Sequence, residues 1–525
     1  MSQIVYRGNL SAKAFPLLTD FQGRTVIVPG NDNTFNRSLV STEDLDRDVG
    51  VPIMYYCHNV LPAPYGFNSV GYENLLINSG GVDFSSIKLL RSNPISATVE
   101  GPRYYFAPHS TGVHKQFGLG GTAWIDINTS VPYPVGTQLT YATVQGISYI
   151  YFANLGCYKF DAYNNILIPV NLDGLDPTKI LGITAYQGYL IAYDTTSVYW
   201  SSVLDIDYTL NVVDFIPSLT TGAGQVKLEG ARGPISVVLP ATFGLAIYTT
   251  SNIVSAVYSG NSRYPFNFKE VVASGGCSSP DLVAYDANTG NQYAYTTSGV
   301  QTVTQTATQT LFPEITDFLA GQDFEDFDEV TQTFSQQVLT TPMKKRLVSV
   351  SDRYLIFSYG INSLTHCLVY DMTMKRYGKL KVDHVDCFEY EYLSPQLADA
   401  PRKSIAFLKA DGSISVVNPS VTFASSKGVI LLGKFQYVRS RLMSLEGLEL
   451  QTVHPTQTAT AYDLVSASGG TIESVEKVQG YETSAPGESQ RTYKFHKTGV
   501  NHSILLIGGF FLSSFVLTFH IHGRR

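Results

Sequence analysis

Hydrophobic segments rich in Tyr, Ile and Phe recur along this chain, and each runs through a short polar turn into a second apolar segment. The clearest copies are YLIAYDTTSVYWSS from Tyr189, GLAIYTTSNIVSAV from Gly244 and QYAYTTSGVQTVT from Gln292. Two β-prone runs joined by Thr, Ser, Asn or Gly predict a β-hairpin. The chain is therefore predicted to be built mainly from hairpins.

The hairpins recur at a nearly regular interval. Four further copies begin at Tyr104, Tyr149, Tyr354 and Ser404, and a weaker eighth begins at Tyr55. The spacings between successive starts are 49, 45, 40, 55, 48, 62 and 50 residues. One four-stranded propeller blade takes about 40 to 50 residues, so the interval predicts an all-β fold whose body is a β-propeller of six to eight blades. Two stacked β-sandwiches are the alternative.

The repeat stops near Val429, which predicts a domain boundary there. Residues 1–428 are assigned to the propeller body, and residues 429–525 to an additional C-terminal, β-sandwich-like domain. The polar, turn-rich stretch from Ser466 to Arg491 is expected to be a long exposed loop within that domain.

The segment from Ser503 to Ile521 is uncharged and is followed by Arg524 and Arg525, the arrangement of a C-terminal membrane anchor. However, its last residues alternate in the period of a strand, and a Gly508–Gly509 pair marks a bulge or bend. Two buried β-strands are therefore predicted here, and no membrane anchor is expected.

One insertion, near residues 312–340, lengthens the spacing between the Gln292 and Tyr354 hairpins. Pro313 to Leu319 is expected to form a short helix, followed by an acidic, aromatic loop. Aromatic side chains on a charged loop indicate either a contact with a partner or packing of the loop onto the propeller face. The candidate interface or channel residues are Phe318, Asp323, Phe324, Asp326, Phe327 and Asp328.

The acidic residues of this loop also suggest a cation site, because hard cations prefer several converging carboxylates. The loop lacks the ligand spacing and central glycine of a calcium-binding EF-hand loop. The pair His520 and His522 could face one side of the last strand, but two ligands do not make a metal site. No metal, cofactor or catalytic residue is predicted.

Composition narrows the possible functions. Charged residues make up 15% of the chain and hydrophobic residues 44%, which excludes a disordered chain or a coiled coil. The net charge of −7 argues against capture of nucleic acid by a broad basic face. The five cysteines are scattered without metal-ligand spacing, so they are expected to be reduced core residues of a protein assembled in a cytosol. Hydrolase, metalloprotease and nucleotide-binding motifs are absent, and the chain is predicted not to be an enzyme.

Three segments give the chain a resemblance to a known family. The first runs from Leu181 to Gln225, where the hairpin containing Trp200 is followed by Phe-Ile-Pro and then Gly-Ala-Gly. The second is FPEITDFL at Phe312 to Leu319, and the third combines LGKFQYVRSR with a terminal GRR. In these segments the chain resembles the tail nozzle, or tail-hub, proteins of short-tailed bacteriophages, which include the packaged-DNA stabilisation proteins.

The resemblance implies a structural virion protein that is assembled in the host cytoplasm and located in the tail. It implies a ring, as a homohexamer, below the portal and adaptor, with tail fibre, spike or needle proteins as further partners. Packaged DNA would be retained by the ring and conducted through its channel during ejection, without sequence-specific binding. The acidic loop from Gly321 to Glu329, or the polar loop of the C-terminal domain, would face the channel or a neighbouring subunit.

Two other functions remain open at this point. One is a receptor-binding or carbohydrate-binding virion protein, such as a tail fibre, a spike or a glycosidase-like propeller. The other is a membrane-anchored propeller that uses Ser503 to Ile521. Neither coiled-coil heptads nor β-helix periodicity, which would accompany a trimeric fibre, is present.

Overall fold

The structure is a computed structural model. It describes residues 3–9, 18–19, 25–26, 53–63, 66–75, 83–84, 90–91, 104–109, 112–117, 124–128, 137–161, 166–203, 211–261, 264–271, 275–285, 290–311, 322–328, 333–338, 344–350, 353–373, 376–392, 402–418, 427–436, 442–452, 459–466, 472–479, 481–485 and 488–522. Within these ranges nearly all regular structure is β-strand, and the helical element is one 3-10 turn, Pro280–Leu282. The predicted all-β class is confirmed.

The N-terminal part contains short strands that take part in several different sheets. They are β1 (Gln3–Asn9), β2 (Leu18–Thr19), β3 (Thr25–Val26), β4 (Ile53–His58), β5 (Val60–Ala63), β6 (Gly66–Ser69) and β7 (Gly71–Leu75).

The next part of the chain forms five mainly antiparallel sheets in sequence order, which are blades 1 to 5. Blade 1 contains β8 (Leu90–Arg91), β9 (Tyr104–His109), β10 (Gly112–Phe117) and β11 (Ile125–Asn128). Blade 2 contains β12 (Leu139–Val144), β13 (Ile147–Phe152), β14 (Gly156–Asp161) and β15 (Ile166–Asp173). Blade 3 contains β16 (Gly182–Tyr186), β17 (Tyr189–Tyr193), β18 (Ser197–Trp200) and, after β19 (Val212–Asp214), β20 (Gly224–Lys227). Blade 4 contains β21 (Ile235–Ala241), β22 (Gly244–Thr249), β23 (Ile253–Tyr258) and β24 (Phe266–Glu270). Blade 5 contains β25 (Val283–Tyr285), β26 (Gln292–Thr296), β27 (Gly299–Val303) and β28 (Thr308–Leu311).

Two more blades follow a separate hairpin made of β29 (Gln322–Asp328) and β30 (Thr333–Val338). Blade 6 contains β31 (Lys344–Val350), β32 (Tyr354–Gly360), β33 (Leu364–Asp371) and β34 (Arg376–His384). Blade 7 contains β35 (Asp386–Tyr392), β36 (Arg402–Leu408) and β37 (Ile414–Asn418).

The N-terminal part completes the last blade. Strand β7 pairs antiparallel with β37, from Gly71 opposite Asn418 to Leu75 opposite Ile414. Blade 7 is thereby four-stranded, and the described part of the chain contains seven blades, of which blade 2 has β19 as a fifth strand that pairs parallel with β15. The body is a β-propeller, as predicted, and its ring is closed by a strand from the opposite end of the sequence.

Seven of the eight predicted hairpins are the second and third strands of these blades. The doubtful eighth copy, at Tyr55, is not a blade hairpin, because β4 pairs with β38 (Gly428–Gln436) and β5 pairs with β6 and β34. The local Tyr-rich pattern is the same, but its strands are divided between two different sheets.

The hydrophobic core is divided into clusters that lie between neighbouring blades. Ile183 and Leu190 of blade 3 pack with Tyr149 and Tyr151 of blade 2, and equivalent clusters join blades 3 to 7 in order. Between blades 7 and 1, the indole N–H of Trp124 donates to the carbonyl of Gly412 at 2.8 Å. Blades 3 to 7 each bury both faces against their neighbours, as is typical of a propeller.

The C-terminal strands form two sheets that face each other. They are β38, β39 (Met443–Thr452), β40 (Ala459–Ser466), β41 (Ile472–Gln479), β42 (Tyr481–Ala485), β43 (Glu488–Lys494), β44 (Thr498–Gly499), β45 (Asn501–Gly508) and β46 (Phe511–Ile521).

One sheet has the order β4-β38-β45-β40-β41, and the other contains β1, β46, β39, β43 and β42. Contacts between the two sheets include the Tyr493 hydroxyl, which donates to the Ala459 carbonyl at 3.0 Å, and the His502 and Phe519 rings, 5.6 Å apart. This sandwich confirms the predicted C-terminal domain type. Strands β1 and β4 add residues 3–9 and 53–58 to its sheets.

Two expectations about this region can now be compared with the structure. The segment Ser503–Ile521 lies in β45 and β46 with a bend at Gly509, as predicted. The prediction of a long loop over residues 466–491 was wrong, because β41, β42 and part of β43 occupy most of this range. These strands lie at one end of each sheet, where a polar composition is compatible with pairing. The part of the chain described contains no helix long and apolar enough to cross a membrane.

The sandwich and the propeller share one hydrogen-bonded sheet. It runs from blade 6 through β34-β5-β6-β46-β39 to β43 and β42. At its centre, the Ser69 hydroxyl donates to the Phe510 carbonyl at 3.0 Å and accepts from the Phe510 amide at 2.8 Å. Backbone pairing therefore continues from one domain into the other.

Asn59, between β4 and β5, connects four segments at this junction. Its side-chain oxygen accepts from the Tyr72 hydroxyl of β7 at 2.8 Å and from the Lys381 amide of β34 at 3.0 Å. Its side-chain nitrogen donates to the Lys427 carbonyl, just before β38, at 3.3 Å, and its own carbonyl accepts from the Val70 amide at 2.8 Å. The residue is buried and has a φ of 50°, a left-handed conformation that asparagine tolerates well.

Candidate functional site

The predicted interface residues lie mainly on the β29–β30 hairpin. Asp323, Phe324, Asp326, Phe327 and Asp328 are all in β29, whereas Phe318 and the expected helix at 313–319 lie outside the described residues. The expectation of a loop was therefore wrong for residues 322–328. The acidic residues suggested a solvated loop, but charged residues are compatible with a short two-stranded ribbon.

The register of this hairpin contains a bulge. Phe324 is opposite Gln336 and Phe327 is opposite Phe334, so three steps along β29 correspond to two along β30. A bulge of this kind inserts one extra residue and changes the strand direction locally. The hairpin pairs with no blade strand of the part described, and is thus an appendage between blades 5 and 6.

A second candidate site lies on the propeller axis. A cavity of about 500 Å³ is bordered by β12, β16, β21, β25 and β31, the first strands of five consecutive blades. Each of these strands is at the end of its sheet and has one strand partner. An unpaired strand edge presents backbone N–H and C=O groups that need hydrogen-bonding partners. The cavity therefore combines backbone polar groups with apolar lining residues such as Leu139, Val237 and Leu347.

Neutral hydroxyl groups supplement the backbone on the blade 2 side. The Thr143 hydroxyl donates to the Tyr141 hydroxyl at 2.9 Å, and the latter is 3.0 Å from the Ser148 hydroxyl. The Thr140 hydroxyl accepts from the Ile183 amide at 2.7 Å, which ties the first strands of blades 2 and 3 together. This wall offers hydrogen bonds without formal charge.

The opposite wall carries charges. Arg346 of blade 6 forms an ion pair through Nε with Asp386 of blade 7 at 2.8 Å and through Nη1 with Asp281 of blade 5 at 3.5 Å. Asp386 is almost fully buried, and its Oδ1 also accepts from the Cys387 amide. One guanidinium therefore connects three consecutive blades at the cavity.

Replacing Arg346 with methionine is expected to lower the free energy of unfolding by about 3 kcal/mol, because Asp386 would remain buried beside a neutral side chain. Chemical denaturation measures this value. The control is Arg232→Met, which removes an exposed ion pair with Glu270 (3.0 Å) within blade 4 and should cost less than about 1 kcal/mol. Equal losses for the two variants would contradict the assigned role of Arg346.

A buried group in blade 6 contains residue types used in catalysis. Ser358 Oγ lies 3.0 Å from His384 Nε2 and 3.2 Å from Cys367 Sγ. Burial raises the pKa of Cys367 to about 12 and lowers the pKa of His384 to about 4. At neutral pH the thiol and the imidazole are therefore uncharged and fully buried, an environment typical of a structural cysteine rather than a nucleophilic one.

Stability is expected to fall on mild acidification because of two buried histidines. Burial lowers the pKa of His384 to about 4 and, together with Lys379 and Lys381, that of His366 to about 3, from 6.5. Below pH 6.5 the unfolded chain binds protons that the folded chain does not, so stability decreases as pH falls from 6.5 toward 4. Each histidine contributes a slope of at most about 1.4 kcal/mol per pH unit.

Urea denaturation between pH 7.5 and 4.5 measures this slope. The variant His384→Gln keeps a side chain able to form hydrogen bonds and should show about half the wild-type slope. An unchanged slope would show that His384 is not the group responsible.

Cation sites are not indicated by the described side chains, which contain no group of three or more His, Cys, Asp or Glu residues placed to hold a metal ion. The predicted pair His520 and His522 lies with ring centres 5.1 Å apart. His522 Nε2 is 2.5 Å from the Ser444 hydroxyl, and His520 Nδ1 is 3.6 Å from a Glu446 carboxylate oxygen. His520, in β46, and His522, just after its end, therefore both contact side chains of β39. None of the five cysteines forms a disulfide bond, and all are buried, as expected of core residues.

The axial cavity and its charged wall were not found from the sequence. Arg346 lies in KKRLVSV, a strand without any motif, and its partners are 65 residues before it and 40 residues after it. The usable signal was the repeat itself, because the first strand of every blade lines the axis of a propeller.

Comparison with known proteins gives structural similarities at low sequence identity. No family model matches the chain, and no curated protein matches it. The extracellular domain of BT4673 from B. thetaiotaomicron is similar with 11% identity and a TM-score of 0.39, over 84% of this chain and 57% of that one. YCF48 from Cyanidioschyzon merolae is similar with 12% identity and a TM-score of 0.37, over 67% of this chain and 99% of that one.

Proposed function

We propose that this protein is a structural subunit of a short-tailed phage tail: a nozzle, or hub, that forms a homohexameric ring below the portal and adaptor, retains packaged DNA and conducts it during ejection. The observation that supports it is the sheet shared by blade 6 and the sandwich. Hydrogen bonding that continues between two domains resists bending at their junction, and a ring that holds DNA under pressure requires such subunits.

The dimensions of the axial cavity affect where DNA would run. A cavity of about 500 Å³ has the volume of a small-molecule pocket, whereas the major groove of B-DNA alone is about 12 Å wide. A DNA channel would therefore lie between subunits, on the axis of the ring, and not through one propeller. The weakly negative chain, with a net charge of −7, suits a channel wall along which DNA slides.

The test is negative-stain imaging and mass measurement of the full-length protein, alone and with the portal, adaptor and fibre proteins of the same virion. A ring of about six subunits with an axial channel would support the proposal. A trimeric spike, or a chain that stays monomeric with all of these partners, would overturn it.

The β29–β30 hairpin is proposed to contact a neighbouring subunit or the channel. Replacing residues 321–339 with a short Gly-Ser linker should leave the propeller folded, since no blade strand in the described ranges pairs with the hairpin. Ring assembly and DNA retention should decrease at least tenfold, as measured by mass photometry and nuclease protection. The matched control replaces Gln305 and Thr306, which are exposed in the turn between β27 and β28, with Gly and Ser. Full assembly of the linker variant would show that the hairpin has no such role.

The axial cavity favours a second candidate function, the binding of a small carbohydrate by a virion protein. Its hydroxyl groups, unpaired backbone edges and single ion-paired arginine match the many hydroxyl groups of a sugar. Calorimetric titration with mono- and disaccharides tests this function. Thr143→Val, which removes one wall hydroxyl at nearly constant volume, should weaken any binding several-fold. The absence of heat for all sugars would exclude this function.

A further inference from the structure

The C-terminal strand β46 depends on the N-terminus to cover one of its edges. On one side β46 pairs with β39 from Leu512 to Ile521. On the other side β6 covers Phe511 and Leu512, and β1 covers Ser514 to His520. Without β1, seven consecutive residues of β46 would lose their partner on that edge, next to the fully buried Leu517 and Phe519. An edge of this kind strongly favours the addition of a strand.

Strand β1 reaches this edge through a long connection. Residues 10–52 separate it from β4, and the strands described within that connection, β2 and β3, pair with each other. Without residues 18–26, which the β2–β3 pair folds back on itself, the rest of the connection can extend about 110 Å, whereas a folded chain of 525 residues has a radius of gyration of about 24 Å. The connection is therefore long enough to reach the same edge on an adjacent copy.

The contacts of β1 do not distinguish between its own β46 and that of a neighbour. Exchange of an identical strand between copies keeps all seven register pairs and changes only the path of the connection. In free solution the local concentration of the strand favours its own chain. In a ring, each β46 edge also has the β1 of an adjacent subunit held nearby, so pairing with the neighbour becomes competitive.

We infer that β1 is exchanged between neighbouring subunits in the assembled ring, so that each subunit contributes the strand that covers β46 of the next. This inference rests on the proposed ring function. The occupant of the edge is thus a second copy of this chain. Exchange would interlock the subunits, because removing one subunit requires breaking the pairing of a seven-residue strand in addition to the surface contacts.

Cysteine cross-linking across the β1–β46 register tests the inference. Val5 is opposite Thr518, and Arg7 is opposite Val516. Two single variants, Val5→Cys and Thr518→Cys, are mixed during assembly and oxidised, and Arg7→Cys with Val516→Cys forms a second, independent set. Each chain carries one new cysteine, so a bond between the paired positions can form only between two chains. The five native cysteines are buried and form no disulfide bonds, and the wild-type chain treated in the same way gives the background.

A covalent dimer in the assembled fraction, with the linked peptides identified by mass spectrometry, would support exchange. The double variant Val5→Cys, Thr518→Cys should then give chains linked into multimers up to the size of the ring. A double variant that is oxidised only within single chains, or no bond in either set, would overturn the inference. Imaging of the unmodified protein reports separately on the ring, so a ring without intermolecular bonds would reject strand exchange and leave the proposed function intact.

Discussion

Replacing Asn59 with alanine is expected to lower the free energy of unfolding by about 5 kcal/mol. The Lys381 amide and the Tyr72 hydroxyl would both lose their acceptor in a buried site, and each unsatisfied group costs about 1–3 kcal/mol. Alanine in the left-handed conformation, with φ near 50°, adds about 1 kcal/mol. Urea denaturation followed by fluorescence measures the change.

The matched control for this prediction is Asn154→Ala. Asn154 has a φ of 60°, close to that of Asn59, but lies exposed in the turn between β13 and β14. It should therefore show only the conformational cost, about 1 kcal/mol. Similar losses for both variants would mean that the side-chain hydrogen bonds of Asn59 contribute little to stability.

The variant Gly378→Ala is expected to separate the unfolding of the sandwich from that of the propeller. A Cβ atom at this position of β34 would lie 2.5 Å from the Val60 carbonyl oxygen and 2.9 Å from Pro62 Cδ. These atoms belong to β5, the next strand of the shared sheet, and Lys379 pairs with Val60. Since the nearest atoms belong to the main chain and a proline ring, the clash cannot be relieved by turning a side chain, and β5 must move away.

Calorimetry should show one thermal transition for the wild type and two for Gly378→Ala, with the first at least 10 °C lower. Limited proteolysis should then release the sandwich before the propeller. Gly447→Ala is the control, because its Cβ would have no neighbour closer than the Tyr493 oxygen at 3.7 Å in the same sheet. A single transition at the wild-type temperature for Gly378→Ala would show that the β34–β5 contact does not couple the domains.

The parts of the fold that depend on local sequence could be predicted. A strand rich in Tyr and Ile, a polar turn and a returning strand, as at Tyr189–Trp200, form a hairpin whose information lies within about fifteen residues. Seven such hairpins form the second and third strands of blades, and the spacing between them predicted a propeller. The alternation of Phe515 to Ile521 similarly predicted strand β46.

The parts that depend on distant pairing could not be predicted. The pairing of β7 with β37 and of β1 with β46 joins the two ends of the chain, and no local pattern in GYENL or QIVYRGN encodes its partner. Residues 466–491 were predicted to form a loop because their composition is polar and turn-rich, although they contain β41 and β42. The role of Arg346 also depends on residues distant in sequence. Its two carboxylate partners, Asp281 and Asp386, come from neighbouring blades, and no local pattern predicts them.

The closure of blade 7 has a consequence for how this protein is made. Strand β7 leaves the ribosome early, but its partner β37 ends at Asn418. A nascent chain therefore holds six blades and an unclosed ring until most of the protein has been synthesised. Such long-range closure is slow compared with hairpin formation and leaves apolar blade faces exposed meanwhile. We expect overproduction at high translation rates to give aggregated chains, and coproduction of host chaperones to increase the yield of soluble protein.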